Sequence, residues 1–407
     1  MEKQIVEIRG VRIGEGIPKI CVPLTDTTIE ELLKSADAVV KSGLADLVEW
    51  RLDWFLAAKE SNLLPEAIKK LRSRLGELPL LATIRTTEEG GELALSPEAY
   101  MEKTIWLAET GLVDLMDIQV FFTGCEEKTE SLIKRLQETG VKVIGSWHCF
   151  RETPSQEHIE WRLEEIQKRG ADICKIAVMP KHPADVWRLL RATRRAKEQL
   201  INRPLITMSM SGLGVASRMT GEYTGSAVTF GTIGTASAPG QIPALELKQI
   251  LTALHEKRKL VLIGFMGSGK STQGAALAEG LGCPLYDTDR MIEEVEGMSV
   301  QELFVRKGEV YFRQQEAEVL KRLSQLEGLA VVSTGGGMAV NESNHTPMRE
   351  IGLVICLNIQ KEEVMRRLQG DKTRPLLAGA NPEEKIEELL TIRTPLYKKA
   401  ADVMLFL

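Results

Sequence analysis

The stretch Leu260–Thr272, LVLIGFMGSGKST, leaves few choices of fold. An apolar run suited to a buried strand enters Gly264-x-x-x-x-Gly269-Lys270-Ser271 and then a helix-forming segment. Gly267 and Gly269 let the backbone turn its N–H groups toward an anion, and a helix starting near Lys270 aims its positive end at the same point. This is the pattern of a phosphate-binding loop. Gly267, Ser268, Gly269, Lys270, Ser271 and Thr272 are the expected ATP contacts, with Lys270 on the β/γ-phosphates and the Ser271 hydroxyl on Mg²⁺. A plain glycine turn is the alternative, but strand, spacing, Lys-Ser pair and helix all agree on the loop. Such a loop follows the first strand of its domain, so residues 1–255 need a fold of their own.

A chain of 407 residues suits two to three domains. The net charge of −5 and the lack of a dominant basic stripe argue against a nucleic-acid surface. The six cysteines, Cys21, Cys125, Cys149, Cys174, Cys283 and Cys356, show no metal-type spacing and read as reduced thiols. The N-terminus has no signal-peptide pattern, and no apolar run is long enough to span a bilayer. The expectation is a soluble, cytoplasmic protein without membrane or nucleic-acid partners.

Before the loop, short aliphatic runs recur at a regular interval: 19–24, 46–53, 80–86, 113–120, 141–149, 171–179, 204–210 and 227–231. Segments of helical period separate most of them, as at 28–42, 97–110, 126–139 and 183–200; the seventh connection, 212–225, is the weakest helix. Eight such units in this length predict a TIM (β/α)8 barrel, with a doubly wound open sheet as the alternative. In a barrel, chemistry belongs at the C-terminal strand ends. Those ends carry Glu49-Trp-Arg51-Leu-Asp53, Arg85 before TTEEGGE, Ser146-Trp-His148, Lys175, Arg218 and a segment ending at Gln241.

Lys175 shares its strand face with Ile173 and Ala177, so its ammonium points toward the barrel axis. There it either pairs with a carboxylate, such as Glu49, or gives up its proton and becomes an amine able to form a Schiff base. His148 supplies a base on the neighbouring strand, or is a satisfied core histidine.

The segments PKI (18–20), EWRLD (49–53), IRT…EEGGE (84–92), SWH (146–148), KIAVMP (175–180), MSM (208–210) and SAPGQ (237–241) together resemble type I 3-dehydroquinate dehydratase over nearly all of residues 1–255. The resemblance implies a metal- and cofactor-free Schiff-base enzyme. Lys175 would form the imine, His148 shuttle the proton and Glu89 assist the histidine. Glu49, Arg51, Arg85, Arg218, Ser237 and Gln241 would hold 3-dehydroquinate. Pro23 stands where the family often has a substrate-touching serine, and Cys149 where an acidic residue is common. A homodimer through the barrel is the expected assembly.

The segment His255–Lys259 is short and has no flexible tether. Beyond the loop lie Asp287-Thr-Asp289, a FRxxE segment with Arg313 and Glu316, Gly335-Gly-Gly337, Arg366-Arg367, a polar stretch containing Arg374, and Arg393-Thr-Pro-Leu-Tyr397. Each has a plain reading: helix cap, surface pair, turn, loop. Together with GFMGSGKST they resemble shikimate kinase across 260–407, which implies a P-loop domain with a helix-flanked parallel sheet. On that resemblance Asp289, Arg313, Gly335, Gly336, Gly337 and Arg393 bind shikimate. Arg367 lies near the adenine, Arg374 closes over the phosphates, and Asp287 joins Ser271 at Mg²⁺. The family usually continues into a closing helix; this chain stops at Leu407, so that helix is expected to be missing. The implied whole is a bifunctional shikimate-pathway enzyme. A class I aldolase barrel and a nucleotide-sensing module are the alternatives for the two halves.

Overall fold

The computed structural model describes residues 3–55, 63–125, 127–234, 241–368 and 382–406. It divides into two compact units, 1–251 and 252–407, the division falling inside the helix Ala244–His255 rather than after it.

The first unit opens with a hairpin, β1 (Val6–Ile8) and β2 (Val11–Ile13), which the sequence reading did not anticipate. Eight parallel strands follow: β3 (Lys19–Leu24), β4 (Leu47–Arg51), β5 (Leu80–Thr83), β6 (Leu115–Gln119), β7 (Lys142–Cys149), β8 (Ile173–Val178), β9 (Leu205–Ser209) and β10 (Val228–Thr232). They pair in sequence order, and β10 returns to β3. The remaining seam closes through a bridge between Leu205 and Ser226, where the Ala227 N–H donates to the Leu205 carbonyl at 2.7 Å. A short β11 (Ile242–Pro243) adds to β10. This is a TIM barrel. The connection at 212–225 holds two short helices, Val215–Met219 and Gly221–Thr224, and the helix from Pro183 turns from α to π geometry at Ala196–Leu200.

Strand period sets the barrel interior. Cys21, Leu47, Leu81, Leu115, Ile144, Ile173, Ile206 and Val228, one from each barrel strand, form an apolar layer that packs with Val6, Ile8 and Ile13 of the hairpin. Two residues further along each strand, the same face presents Pro23, Glu49, Thr83, Asp117, Ser146, Lys175, Met208 and Phe230. The apolar layer is therefore the floor on which a polar one rests.

The second unit is a five-stranded parallel sheet: β12 (Lys259–Ile263), β13 (Leu285–Asp287), β14 (Val331–Ser333), β15 (Gly352–Asn358) and β16 (Val403–Phe406), in the order β13-β14-β12-β15-β16. Helices flank it around a core that includes Val261, Ile263, Phe312, Leu323 and Val354. The loop after β12 sits where the strand order reverses, the usual ligand crevice of such sheets.

Candidate active sites

In the barrel, the polar layer is one connected network. Lys175 Nζ lies 2.8 Å from Asp117 Oδ2 and 3.6 Å from Glu49 Oε1, with the Phe230 ring 4.8 Å away. Asp117 Oδ1 accepts from Ser146 Oγ at 2.6 Å and from Arg85 NH2 at 2.7 Å. Arg85 NH1 donates to Glu89 Oε2 and to Ser146 Oγ, both at 3.0 Å. Glu89 Oε2 is also 2.8 Å from His148 Nδ1. Thr83 Oγ1 donates to Glu49 Oε1 at 2.8 Å. Register explains the placement: Ser146 stands opposite Lys175 across β7 and β8, and His148 lies one inward step nearer the C-terminal end.

These groups are buried, and burial governs their protonation. It pushes Glu89 up to about 8, against the pull of Arg85. It also pushes His148 well below its ordinary value, helped by the Arg85 and Lys175 cations. His148 is therefore neutral near pH 7, beside a Glu89 that burial keeps protonated there. Once Glu89 ionises and the remaining shared proton sits on Nδ1, the other ring nitrogen is free to act as a base. Burial alone would raise Asp117, but Arg85, Lys175 and His148 hold it far below the usual carboxylate range.

Lys175, His148, Glu89, Glu49 and Arg85 meet in the network, although Arg85 is committed to protein acceptors. Arg51 is gripped by Asp53, with contacts of 2.8 and 2.7 Å. Arg218 is 3% exposed, and among the described residues it has no ion-pair partner; burial lowers it to about 10. Gln241 is half-buried beside the start of β11. Ser237 lies outside the described residues. Asp117, the hub of the network, is the residue that sequence reasoning missed. Its signal was available, since it follows Leu115 by two in β6 and so had to face the axis.

In the second unit, Gly264, Gly267 and Gly269 all adopt positive φ, at 143°, 77° and 93°. The Lys270 ammonium donates to the Gly264 and Phe265 carbonyls, both at 2.9 Å. Ser268 Oγ is buried without a hydrogen-bond partner among the described residues. Ser271 is exposed and Thr272 half-buried in the first turn of the helix Lys270–Leu281. Arg367 lies over the loop, with NH1 donating to the Gly267 carbonyl at 3.1 Å. Arg374 lies outside the described residues. Asp287 caps the helix Thr288–Glu296, Oδ1 accepting from the Asp289 and Arg290 N–H groups.

The three glycines run between the expected shikimate ligands. A Cβ on Gly335 would stand 2.3 Å from Asp289 Oδ1, and one on Gly337 would stand 2.8 Å from Arg313 NH1. Gly336 is tied by its carbonyl to the Tyr397 hydroxyl at 2.7 Å. Arg393 lies 6.0 Å from the Phe265 ring centre. Arg313 is forked between Glu309 at 2.9 Å and the buried Glu316 at 2.8 Å. Asp289, Arg313, the glycine turn and Arg393 thus gather beside the phosphate loop.

The type I 3-dehydroquinase family model matches residues 20–258, and the shikimate kinase family model matches residues 266–405. The 3-dehydroquinate dehydratase of Klebsiella pneumoniae subsp. pneumoniae is 46% identical over 249 residues, covering 61% of this chain and 98% of that protein. That of Listeria monocytogenes serotype 4a is 45% identical over 252 residues, covering 62% and 98%. A solved structure of type I 3-dehydroquinate dehydratase from Clostridium difficile with covalently modified comenic acid is 41% identical. It covers 62% of this chain and 99% of that one, with a TM-score of 0.60.

Proposed function

The chain belongs to the type I 3-dehydroquinase family and carries a shikimate kinase domain behind it, and on that premise we propose how its residues divide the work. It is a bifunctional shikimate-pathway enzyme, dehydrating 3-dehydroquinate and phosphorylating shikimate with ATP. The dehydration is assigned to residues 1–255 and the phosphorylation to residues 260–407.

The observation that carries the dehydratase roles is the single buried network joining Lys175 to the His148–Glu89 pair. Lys175 passes its proton to Glu49 and attacks the ring ketone; Glu49 returns that proton to the carbinolamine hydroxyl, which leaves as water as the iminium forms. The iminium acidifies the adjacent carbon, because the electron pair left by its proton is drawn into the C=N⁺ bond. Neutral His148 takes that proton, and Glu89 stabilises the imidazolium. The resulting enamine expels the β-hydroxyl, which leaves as water with the proton from His148. Hydrolysis then frees the product and Lys175. Asp117 is the fixed counter-ion of both the ammonium and the iminium. Arg218, buried without an ion-pair partner among the described residues, receives the substrate carboxylate by charge-assisted bonds. Glu49, Arg51, Arg85, Ser237 and Gln241 complete the substrate shell. The chemistry draws on side chains alone, without metal or cofactor.

In the kinase, the loop N–H groups, Lys270, Ser268, Thr272, Arg367 and Arg374 hold ATP. Asp289 takes the reacting hydroxyl, and Arg313 and Arg393 take the shikimate carboxylate beside Gly335–Gly337. Ser271, exposed, and Asp287, whose Oδ2 has no hydrogen-bond partner among the described residues, suit Mg²⁺, which would neutralise charge on the transferring phosphoryl. A homodimer through the barrel and a cytoplasmic location complete the proposal. The six free thiols support the location.

Borohydride reduction in the presence of 3-dehydroquinate, followed by mass mapping, tests the barrel roles. The adduct is expected on Lys175, and an unmodified Lys175 overturns the assignment. For the kinase roles, ADP release should depend on shikimate and be lost in Asp289→Ala; shikimate-independent ATP binding without transfer would point to a sensor module.

A further inference from the structure

Four donors converge on a carboxylate that none of these roles employs. Asp53 ends the EWRLD segment just past β4, and its side chain is fully buried, at 0% exposure. Its Oδ1 accepts from Arg51 Nε at 2.8 Å and, at 3.4 Å, from the Arg85 backbone N–H. Its Oδ2 accepts from Arg51 NH2 at 2.7 Å and from the Glu92 backbone N–H at 3.2 Å.

The two pairs of bonds do different things. The first grips one edge of the Arg51 guanidinium and leaves NH1 without a protein partner among the described residues. An arginine side chain has much rotamer entropy to lose, and one already clamped loses less of it when a ligand arrives. The second pair holds both ends of the turn from Arg85 to Glu92, which carries Glu89 to His148. That turn is closed by N–H bonds from Glu89 and Gly91 to the Thr86 carbonyl, at 3.1 and 2.9 Å. It has no slack at Gly91, where a Cβ would stand 2.0 Å from the Arg85 carbonyl oxygen.

We propose that Asp53 is a positioning residue of the dehydration site, one carboxylate setting both the substrate-facing Arg51 and the turn that delivers Glu89. This rests on the dehydratase reading, which wild-type turnover and trapping on Lys175 test separately. Asp53→Asn keeps one acceptor oxygen, enough for only one of the two backbone N–H groups, and removes the ion pair. In the full-length enzyme it is expected to raise KM for dehydroquinate about tenfold and lower kcat several-fold. In an Arg51→Ala background the KM effect should shrink below about twofold while the kcat effect persists, as expected when one residue acts through the other. Asp53→Glu, which keeps the charge, should hold KM within about threefold of wild type, a rescue that a packing role would not give. If the Asn variant does not fold, Asp53→Ser is read through the same cycle. A KM change that is equal in both backgrounds, a KM within twofold of wild type in Asp53→Asn, or a Glu variant as impaired as the Asn variant overturns the proposal.

Discussion

Asp117 and Glu89 share Arg85 as a partner, yet their surroundings move them in opposite directions. Asp117 also has Lys175, and against the push of burial these cations hold it low; Glu89 has the weaker set, and burial prevails at about 8. The sign of the linkage follows. A depressed carboxylate contributes stability above its ordinary pKa of ~3.9 and loses it as pH falls through and below that value. A raised carboxylate does the reverse: its contribution is full below ~4.3 and is lost as pH climbs toward the folded-state value. In thermal unfolding against pH, Asp117→Asn should flatten the acid limb, and Glu89→Gln should flatten the decline in stability as pH climbs toward 8. Asp117→Asn should also cost roughly 3–5 kcal/mol at neutral pH, because two buried cations lose a shared anion. Arg218 is the opposite case, a buried cation without an ion-pair partner among the described residues. Arg218→Met is expected to raise the melting temperature while raising KM for dehydroquinate roughly a hundredfold, a loss consistent with two charge-assisted bonds; a fall in melting temperature with KM unchanged would show Arg218 to be structural. The residue types at strand ends were legible because their positions follow from period two. Their partners were not, because which carboxylate meets Lys175 depends on strand register and barrel shear.

At the scale of elements, the eight recurring strands were readable because each is a run of four to eight mostly buried residues between turn signals. The first hairpin was not. Its strands are three residues long, too short to show a period, and its turn uses Arg9 at φ 45° and Gly10 at φ 78° instead of an Asn-Gly signature. The hairpin nonetheless packs against the barrel's apolar floor, and Ile13 is 1% exposed. Ile13→Ala should destabilise the barrel by about 2–5 kcal/mol while leaving KM for dehydroquinate unchanged, measured by unfolding and steady-state kinetics. In the second unit the phosphate loop was the clearest signal of all, since its glycines must reach positive φ. The adjoining Gly335–Gly337 was ambiguous as sequence, and only the placement of Asp289 and Arg313 against it shows why a side chain is excluded. Gly337→Ala should raise KM for shikimate at least tenfold by displacing Arg313, with ATP binding by calorimetry little changed.

At the scale of the whole molecule, the chain carries two kinds of chemistry with separate requirements. The barrel positions an amine, a neutral imidazole and fixed countercharges. The P-loop unit supplies backbone N–H groups and cations for a phosphoryl group. No residue is assigned to both. The most direct measurement is therefore both activities, assayed on the same preparations of full-length wild type, Lys175→Ala and Lys270→Ala. Lys175→Ala is expected to abolish dehydratase turnover and leave shikimate phosphorylation within about twofold of wild type, and Lys270→Ala to do the reverse. Loss of both activities in either folded variant, or dehydratase turnover that survives without Lys175, would contradict this assignment.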